Sequence, residues 1–308
     1  MPQPPEPGAA PSEGAPPSFG ARLHARAAAA RSSVCLGIDP RPSDHPLTHP
    51  DRVGGDPAGV AKGIVAFYRA VLEASHDRLA CVKPQAAFFE ALGIPGVIAM
   101  AQLIADARSL DLPVILDAKR GDIGSTAEAY ADAYLGDGVW SADALTVSPY
   151  LGPDTLAPFV ERASERARGV YVLVATSNPG ASRWQDARQD DGRMAHELVA
   201  DELQALARRY GRYGTVGAVV GATRGERLAA LRQRMSDVLL LVPGYGAQGA
   251  GASDVVPAFD GDGLGAVVNA SRSLMPDPGA SDLASAAADA RAKVQRMADE
   301  IERALSGR

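Results

Sequence analysis

Cysteine is almost missing from this chain, with two among 308 residues, Cys35 and Cys81. So few argue against a disulfide framework, although neighbouring parallel strands could bring the two together, and each lies inside an apolar run that suits a buried, reduced thiol. Histidine is scarce too, at five. None stands at metal-ligand spacing from a second His or Cys, so no metal is expected. An excess of positive charge is also lacking: the formal net charge is −6 and no basic stripe stands out. That argues against a nucleic-acid partner. No uninterrupted apolar span is long enough to cross a bilayer, so no membrane partner is expected either. The opening residues lack the basic start and apolar segment of a secretory signal. The cytoplasm is the default compartment.

What is present is a repeat. Residues 1–19 are dominated by Pro, Gly, Ala and Ser and cannot bury enough surface to order themselves, so they are expected to be a disordered tail. A first helix is expected over Arg22–Arg31. From there a short apolar run, a loop and an amphipathic helix recur. The runs are Val34–Ile38, Leu79–Val82, Val114–Leu116, Ala144–Val147, Val170–Ala175, Val216–Val220, Val238–Val242 and Ala266–Asn269. Helical stretches stand between them, at Pro57–Ser75, Val97–Ser109, Thr126–Leu135, Thr155–Arg168, Met194–Tyr210 and Glu226–Arg234. Strict alternation implies right-handed crossovers and a parallel sheet. Eight such units favour an α/β fold of the closed (β/α)8 TIM-barrel kind, one domain over residues 20–308.

In such barrels the chemistry sits at the carboxyl ends of the strands, so polar residues should gather there. They do. The runs end in Asp39, Lys83, Asp117-Ala118-Lys119, Ser148, Thr176 to Gly180, Gly221 to Arg224, Pro243 to Gly249 and Ser271-Arg272. The densest stretch is Leu116 to Thr126. Strand alternation would point Asp117 and Lys119 the same way, into one site. Asp122 follows in a turn before a helix that the Ser125-Thr-Ala-Glu pattern starts near Ser125. Two carboxylates beside one ammonium require the lysine to stay charged and paired. An ordinary ion pair at a strand end explains that pattern about as well. Gly244, Gly246 and Gly249 would let backbone N–H groups approach an anion, with Gln248 and the fork of Arg272 completing a phosphate grip. His45 and His49, and Arg188, Asp190, Asp191 and Arg193, read as ordinary loop residues. The last four sit in a solvated loop or lid.

Together, Asp117-Ala-Lys119-Arg-Gly-Asp122-Ile123-Gly-Ser-Thr126, Lys83, Thr176-Ser177-Asn-Pro-Gly, Pro243-Gly-Tyr-Gly-Ala-Gln-Gly249 and Arg272 resemble the orotidine 5′-phosphate decarboxylase family. The Asp-Ala-Lys-Arg-Gly-Asp-Ile-Gly form is similar to its longer bacterial subgroup, type 2. The resemblance implies a carboxy-lyase that converts orotidine 5′-phosphate to uridine 5′-phosphate without a cofactor, in pyrimidine synthesis. It implies that Lys119 is the proton donor and that Asp117 lies beside the substrate's carboxylate. Asp39 and Lys83 would hold the ribose hydroxyls, Ser177 the pyrimidine ring, and Gln248 and Arg272 the phosphate. Asp122, with Ile123 and Thr126, would reach into the neighbouring subunit's site, so a homodimer is implied.

Two enzyme readings compete. Magnesium-dependent sugar-phosphate enzymes on related barrels also use an Asp-x-Lys-x-x-Asp run; the Ser177 and Gln248 loops favour the nucleotide. A Schiff-base lysine wants a depressed pKa, and adjacent carboxylates push the other way. A non-catalytic nucleotide binder would have little use for a buried charge cluster.

Overall fold

The computed structural model describes residues 16–222, 225–246 and 249–308. The apolar runs are eight parallel strands: β1 (Val34–Ile38), β2 (Cys81–Pro84), β3 (Ile115–Arg120), β4 (Ala144–Val147), β5 (Gly169–Ala175), β6 (Val216–Val220), β7 (Leu239–Pro243) and β8 (Ala266–Ala270). Their order is β2-β1-β8-β7-β6-β5-β4-β3. The ends of that sheet meet through two isolated parallel bridges, Val82 with Val114 and Gln85 with Asp117. The result is a (β/α)8 barrel whose closing seam, between β2 and β3, carries Lys83, Gln85 and Asp117.

Helices pack outside because their apolar stripes recur at helical spacing. Pro57–Ser75, for example, buries Val60, Ile64, Val71 and Leu72 along one face and is capped by Asp56, whose carboxylate accepts from Gly59 N–H. No helix among the described residues is long and apolar enough to cross a membrane. Inside the barrel, Tyr171, Ile115, Leu239 and Val267 form a separate cluster with Phe19 and Leu23. The latter two come from the helix Phe19–Ala30, which plugs the pole opposite the strand ends. Burial of a side chain such as Phe19 contributes about 1.5–3 kcal/mol.

Three expectations need correcting. Phe19 was placed in the tail, yet it opens the first helix, is wholly buried and meets Tyr171 edge-on at 6.0 Å. The rest of the tail assignment falls largely on residues 1–15, outside the described residues. No capping box starts the helix at Ser125. An extended Ile123 leads into Gly124–Leu135, whose first residue is a glycine at φ +51°. The expected helix Thr155–Arg168 is a 3-10 turn, Pro153–Leu156, followed by Ala157–Glu165. Arg188, Asp190, Asp191 and Arg193 are exposed, as a solvated loop requires, and follow a short helix, Ala181–Gln185; Arg188 makes an isolated bridge to Met194.

Cys35 and Cys81 stand opposite each other in the β1–β2 register, buried and unbridged. Burial, with Cys35 beside it, pushes the Cys81 thiol far above its usual range. Such a thiol is an apolar filler rather than a nucleophile.

Candidate active site

The seam brings Lys83 from the end of β2 and Lys119 from the end of β3 onto one carboxylate, Asp117. Asp117 is 7% exposed. Its Oδ2 accepts from Lys83 Nζ and Gln85 Nε2, both at 2.9 Å. Its Oδ1 accepts from Lys119 Nζ at 2.6 Å and from the Thr146 hydroxyl at 2.9 Å. A carboxylate offers about four lone-pair positions. All are taken.

Lys119 reaches Asp117 by a route that strand alternation does not describe. The β3–β4 register slips between Leu116 and Arg120, and Lys119 has φ +48°. A side chain in the left-handed region costs about 1–2 kcal/mol, so this backbone is held by its surroundings. The two lysines differ in access: the Lys83 side chain is 6% exposed and that of Lys119 44%.

Burial works to raise the Asp117 carboxyl, but the charges and hydrogen bonds of Lys83 and Lys119 outweigh it and hold it at about 2. Burial likewise favours a neutral Lys83, yet the Asp117 and Asp39 charges lift it above its ordinary value. The signs fix the pH window. Asp117's contribution is present above its unfolded value near pH 4 and is lost as pH falls through about 2. Lys83's is present below its unfolded value of about 10.4 and is lost only as pH rises through its higher folded one. Asp117's share is on the order of 2 kcal/mol. Urea midpoints for the native chain and Asp117→Asn should therefore keep a constant gap from neutrality down to about pH 4, then converge. A gap that closes nearer neutrality would contradict the network.

The other candidates lie at the same pole. Asp39 ends β1 with its Oδ1 buried and without a hydrogen-bond partner among the described residues. It shares a cavity of about 400 Å³ with Ser271 and Arg272; Asp117, Lys119 and Ser177 do not line it. Arg272 opens a 3-10 turn just past β8 and is exposed, with no carboxylate paired to it among the described residues. Ser177 is exposed beside Gly221 in the loop after β5. Gly244, Gly246 and Gly249 have φ of +115°, +72° and +91°, a conformation that favours glycine. The N–H groups of Gly246 and Gly249 donate within the loop, to Ala250 and Gly246 carbonyls. Glycine there serves loop shape before anion contact. Gln248 lies outside the described residues.

Asp122 stands apart from the cluster. Its Oδ1 accepts from Ile123 N–H, and among the described residues Lys119 Nζ pairs with Asp117 alone. The crowding of two carboxylates on Lys119 is thus absent within one chain. Ile123 is 63% exposed and Thr126 is exposed as well.

The sequence model described as orotidine 5′-phosphate decarboxylase / HUMPS family matches residues 32–289. The orotidine 5′-phosphate decarboxylase of Rhodopirellula baltica is 46% identical over 267 residues, covering 84% of this chain and 88% of that one. That of Deinococcus radiodurans is 44% identical over 262 residues, covering 84% and 89%. This chain belongs to the orotidine 5′-phosphate decarboxylase family. The solved structure of Leishmania donovani OMP decarboxylase superimposes with a TM-score of 0.74 at 33% identity, over 94% of this chain and 99% of that one.

Within this member of the orotidine 5′-phosphate decarboxylase family, three polar groups escaped the sequence reading. Gln85 follows Lys83 by two residues, the same-face spacing of a strand. Thr146 is the one polar side chain in the apolar run Ala144–Val147. Gln185 clasps the loop after β5, accepting from Thr176 N–H at 2.9 Å and donating to its hydroxyl at 2.8 Å. The first two carried a readable signal; Gln185 did not. His45 is structural, its Nδ1 accepting from Leu47 N–H at 3.1 Å and its ring lying 4.9 Å from Phe67.

Proposed function

We infer that this chain removes carbon dioxide from orotidine 5′-phosphate to give uridine 5′-phosphate, the last step of UMP synthesis, with Lys119 as proton donor. The observation that carries the role of Lys119 is its position as the accessible end of a sealed network. Asp117 has every lone-pair position engaged and a carboxyl held at about 2, so it does not take up a proton near neutrality. Lys83 is buried. Lys119 is the acid of the cluster with an open approach.

Loss of carbon dioxide leaves the electrons of the broken C–C bond on ring carbon 6, with no adjacent carbonyl to spread them. A fixed ammonium beside that carbon stabilises the developing charge without having to reorient. The same ammonium then gives its proton to carbon 6. Asp117 holds the Lys119 ammonium at 2.6 Å and, beside the substrate's carboxylate, adds a repulsion that departure of carbon dioxide relieves. Asp39 and Lys83 would hold the ribose, and Ser177 the pyrimidine. Arg272, Gln248 and the Gly244–Gly249 loop would hold the phosphate, whose binding energy is remote from the chemistry and free to drive closure.

A homodimer with shared sites goes with the half-buried Asp122 and the exposed Ile123 and Thr126, which leave this chain's own cluster untouched. The cytoplasm suits two facing cysteines that remain thiols. The test is ultraviolet absorbance after mixing protein with orotidine 5′-phosphate in EDTA. The pyrimidine absorbance should fall at the same rate with and without chelator. A nucleotide that binds but does not react would overturn the assigned reaction. A rate lost in EDTA would point to a magnesium-dependent sugar-phosphate enzyme.

A further inference from the structure

The slip in β3 needs a cause, and Thr146 supplies one. β3 and β4 are paired as far as Leu116 opposite Leu145, then again at Arg120 opposite Val147. Three residues of β3 therefore stand against one of β4, and that one is Thr146. The N–H groups of Ala118 and Lys119 donate to Thr146 Oγ1, at 3.0 and 2.9 Å. A hydroxyl has two lone pairs and one proton. With both lone pairs engaged, its proton goes to Asp117 Oδ1, 2.9 Å away. The residue is 1% exposed, so water does not compete for any of the three bonds.

We propose that Thr146 is a positioning residue of this site: its hydroxyl holds β3 in the bulge that turns the Lys119 ammonium onto Asp117. The claim rests on the reading of Lys119 as proton donor. The mechanism is geometric. Bulges beside active sites re-aim side chains, and here the two N–H groups displaced from the ladder need an acceptor. A main-chain carbonyl of β4 could take one but could give nothing back to the carboxylate. The hydroxyl takes two and gives one. In doing so it fixes the left-handed Lys119 backbone and the Oδ1 face of Asp117 in one contact. Lys83 and Gln85 hold the Oδ2 face from β2. Thr146 is the counterpart from β4, so both neighbouring strands clamp the same carboxylate. Asp39, the remaining charge felt by Lys83, lies on the β1 side and does not contact Thr146.

Two variants separate the hydroxyl from the methyl. Thr146→Val keeps size and branching and removes the hydroxyl; Thr146→Ser does the reverse. In the Val variant kcat should fall about 100-fold or more, the scale of losing one preorganised hydrogen-bonding group. KM for orotidine 5′-phosphate and affinity for uridine 5′-phosphate should change by less than about 3-fold, since a misplaced proton donor affects the transition state and not the remote contacts. The acid limb of kcat should move to higher pH, because Asp117 has lost a donor to its charged form. The Ser variant should recover turnover to within about 10-fold of the native chain.

A Val variant with native turnover would overturn the proposal. So would a Ser variant as impaired as the Val one, a change confined to KM, or a Val variant that does not fold. That last result would make the hydroxyl a requirement of the barrel, not of the site. Lys119→Ala is measured alongside. Retained turnover there removes the reading beneath the proposal, whereas an inactive Lys119→Ala with an unaffected Thr146→Val overturns the role of Thr146 alone.

Discussion

Replacing Lys119 with alanine is expected to lower turnover by about 10⁴-fold or more while fold and nucleotide binding persist. Two losses combine. A positioned general acid is worth about 10²–10⁴, and a fixed charge at the reacting atom about 10²–10³. The fold survives because the Lys119 side chain is nearly half exposed, and its removal leaves Asp117 with Lys83, Gln85 and Thr146 as donors. Uridine 5′-phosphate should still bind, since the phosphate, ribose and base contacts are made elsewhere. Absorbance assays read the first effect and titration calorimetry with uridine 5′-phosphate the second. Turnover within about tenfold of the native chain would remove Lys119 from its role. The same variant tests the shared site. Mixed with Asp122→Ala, itself impaired, it should regain activity, because one site of each mixed dimer recovers both an intact Lys119 and an intact Asp122. If Asp122 served its own chain's site, mixing would restore nothing.

Most of the barrel was legible because burial and backbone period act locally. β1, β4 and β6 coincide with their apolar runs, which are bounded by turn residues on each side. β2 and β3 were misjudged by up to four residues at their carboxyl ends, and the reason is polar. Lys83 and Asp117 through Arg120 look like loop by composition, yet pairing of Lys83 with Gly37 of β1 and of Arg120 with Val147 of β4 carries the strands through them. Asp117, Lys83 and Lys119 could be picked out as a set because charge at a strand end is unusual in an otherwise apolar run. How they meet could not. Period-two alternation gave the right neighbours for an incomplete reason, since the actual contact depends on a bulge and a left-handed lysine. Those depend on Thr146, 27 residues further along the chain. Such a long-range contact leaves only one trace in sequence, a polar residue where the pattern asks for an apolar one. Gln185 leaves less, because a glutamine near a loop is unremarkable until the chain folds back on Thr176.

Asp117→Asn is expected to cost both activity and stability, unlike the lysine variant. The amide matches the carboxylate in size but turns one acceptor into a donor. Whichever way it is oriented, its NH₂ faces two donors: Lys119 and Thr146 on one side, or Lys83 and Gln85 on the other. Lys83 is then buried with Asp39 as its remaining countercharge. Removing one partner of a buried ion pair typically costs about 3–5 kcal/mol, because the other charge is left stranded. Urea unfolding at neutral pH should show a loss of that order, and turnover should fall at least as far as in Lys119→Ala. The pH dependence identifies the cause. With Asp117 gone, burial dominates and Lys83 favours its neutral form, so the folded variant binds fewer protons than its unfolded chain. Its stability should therefore rise as pH increases toward about 10, where unfolded lysine also sheds its proton. In the native chain Lys83 is raised, so its contribution is full and unchanging over that interval and is lost only above it. A slope that rises in the variant but is flat in the native chain between about pH 8 and 10 would tie the deficit to a stranded Lys83. Parallel slopes would mean that Asp117 stabilises the barrel by packing and hydrogen bonding alone, and that the charge of Lys83 is balanced elsewhere.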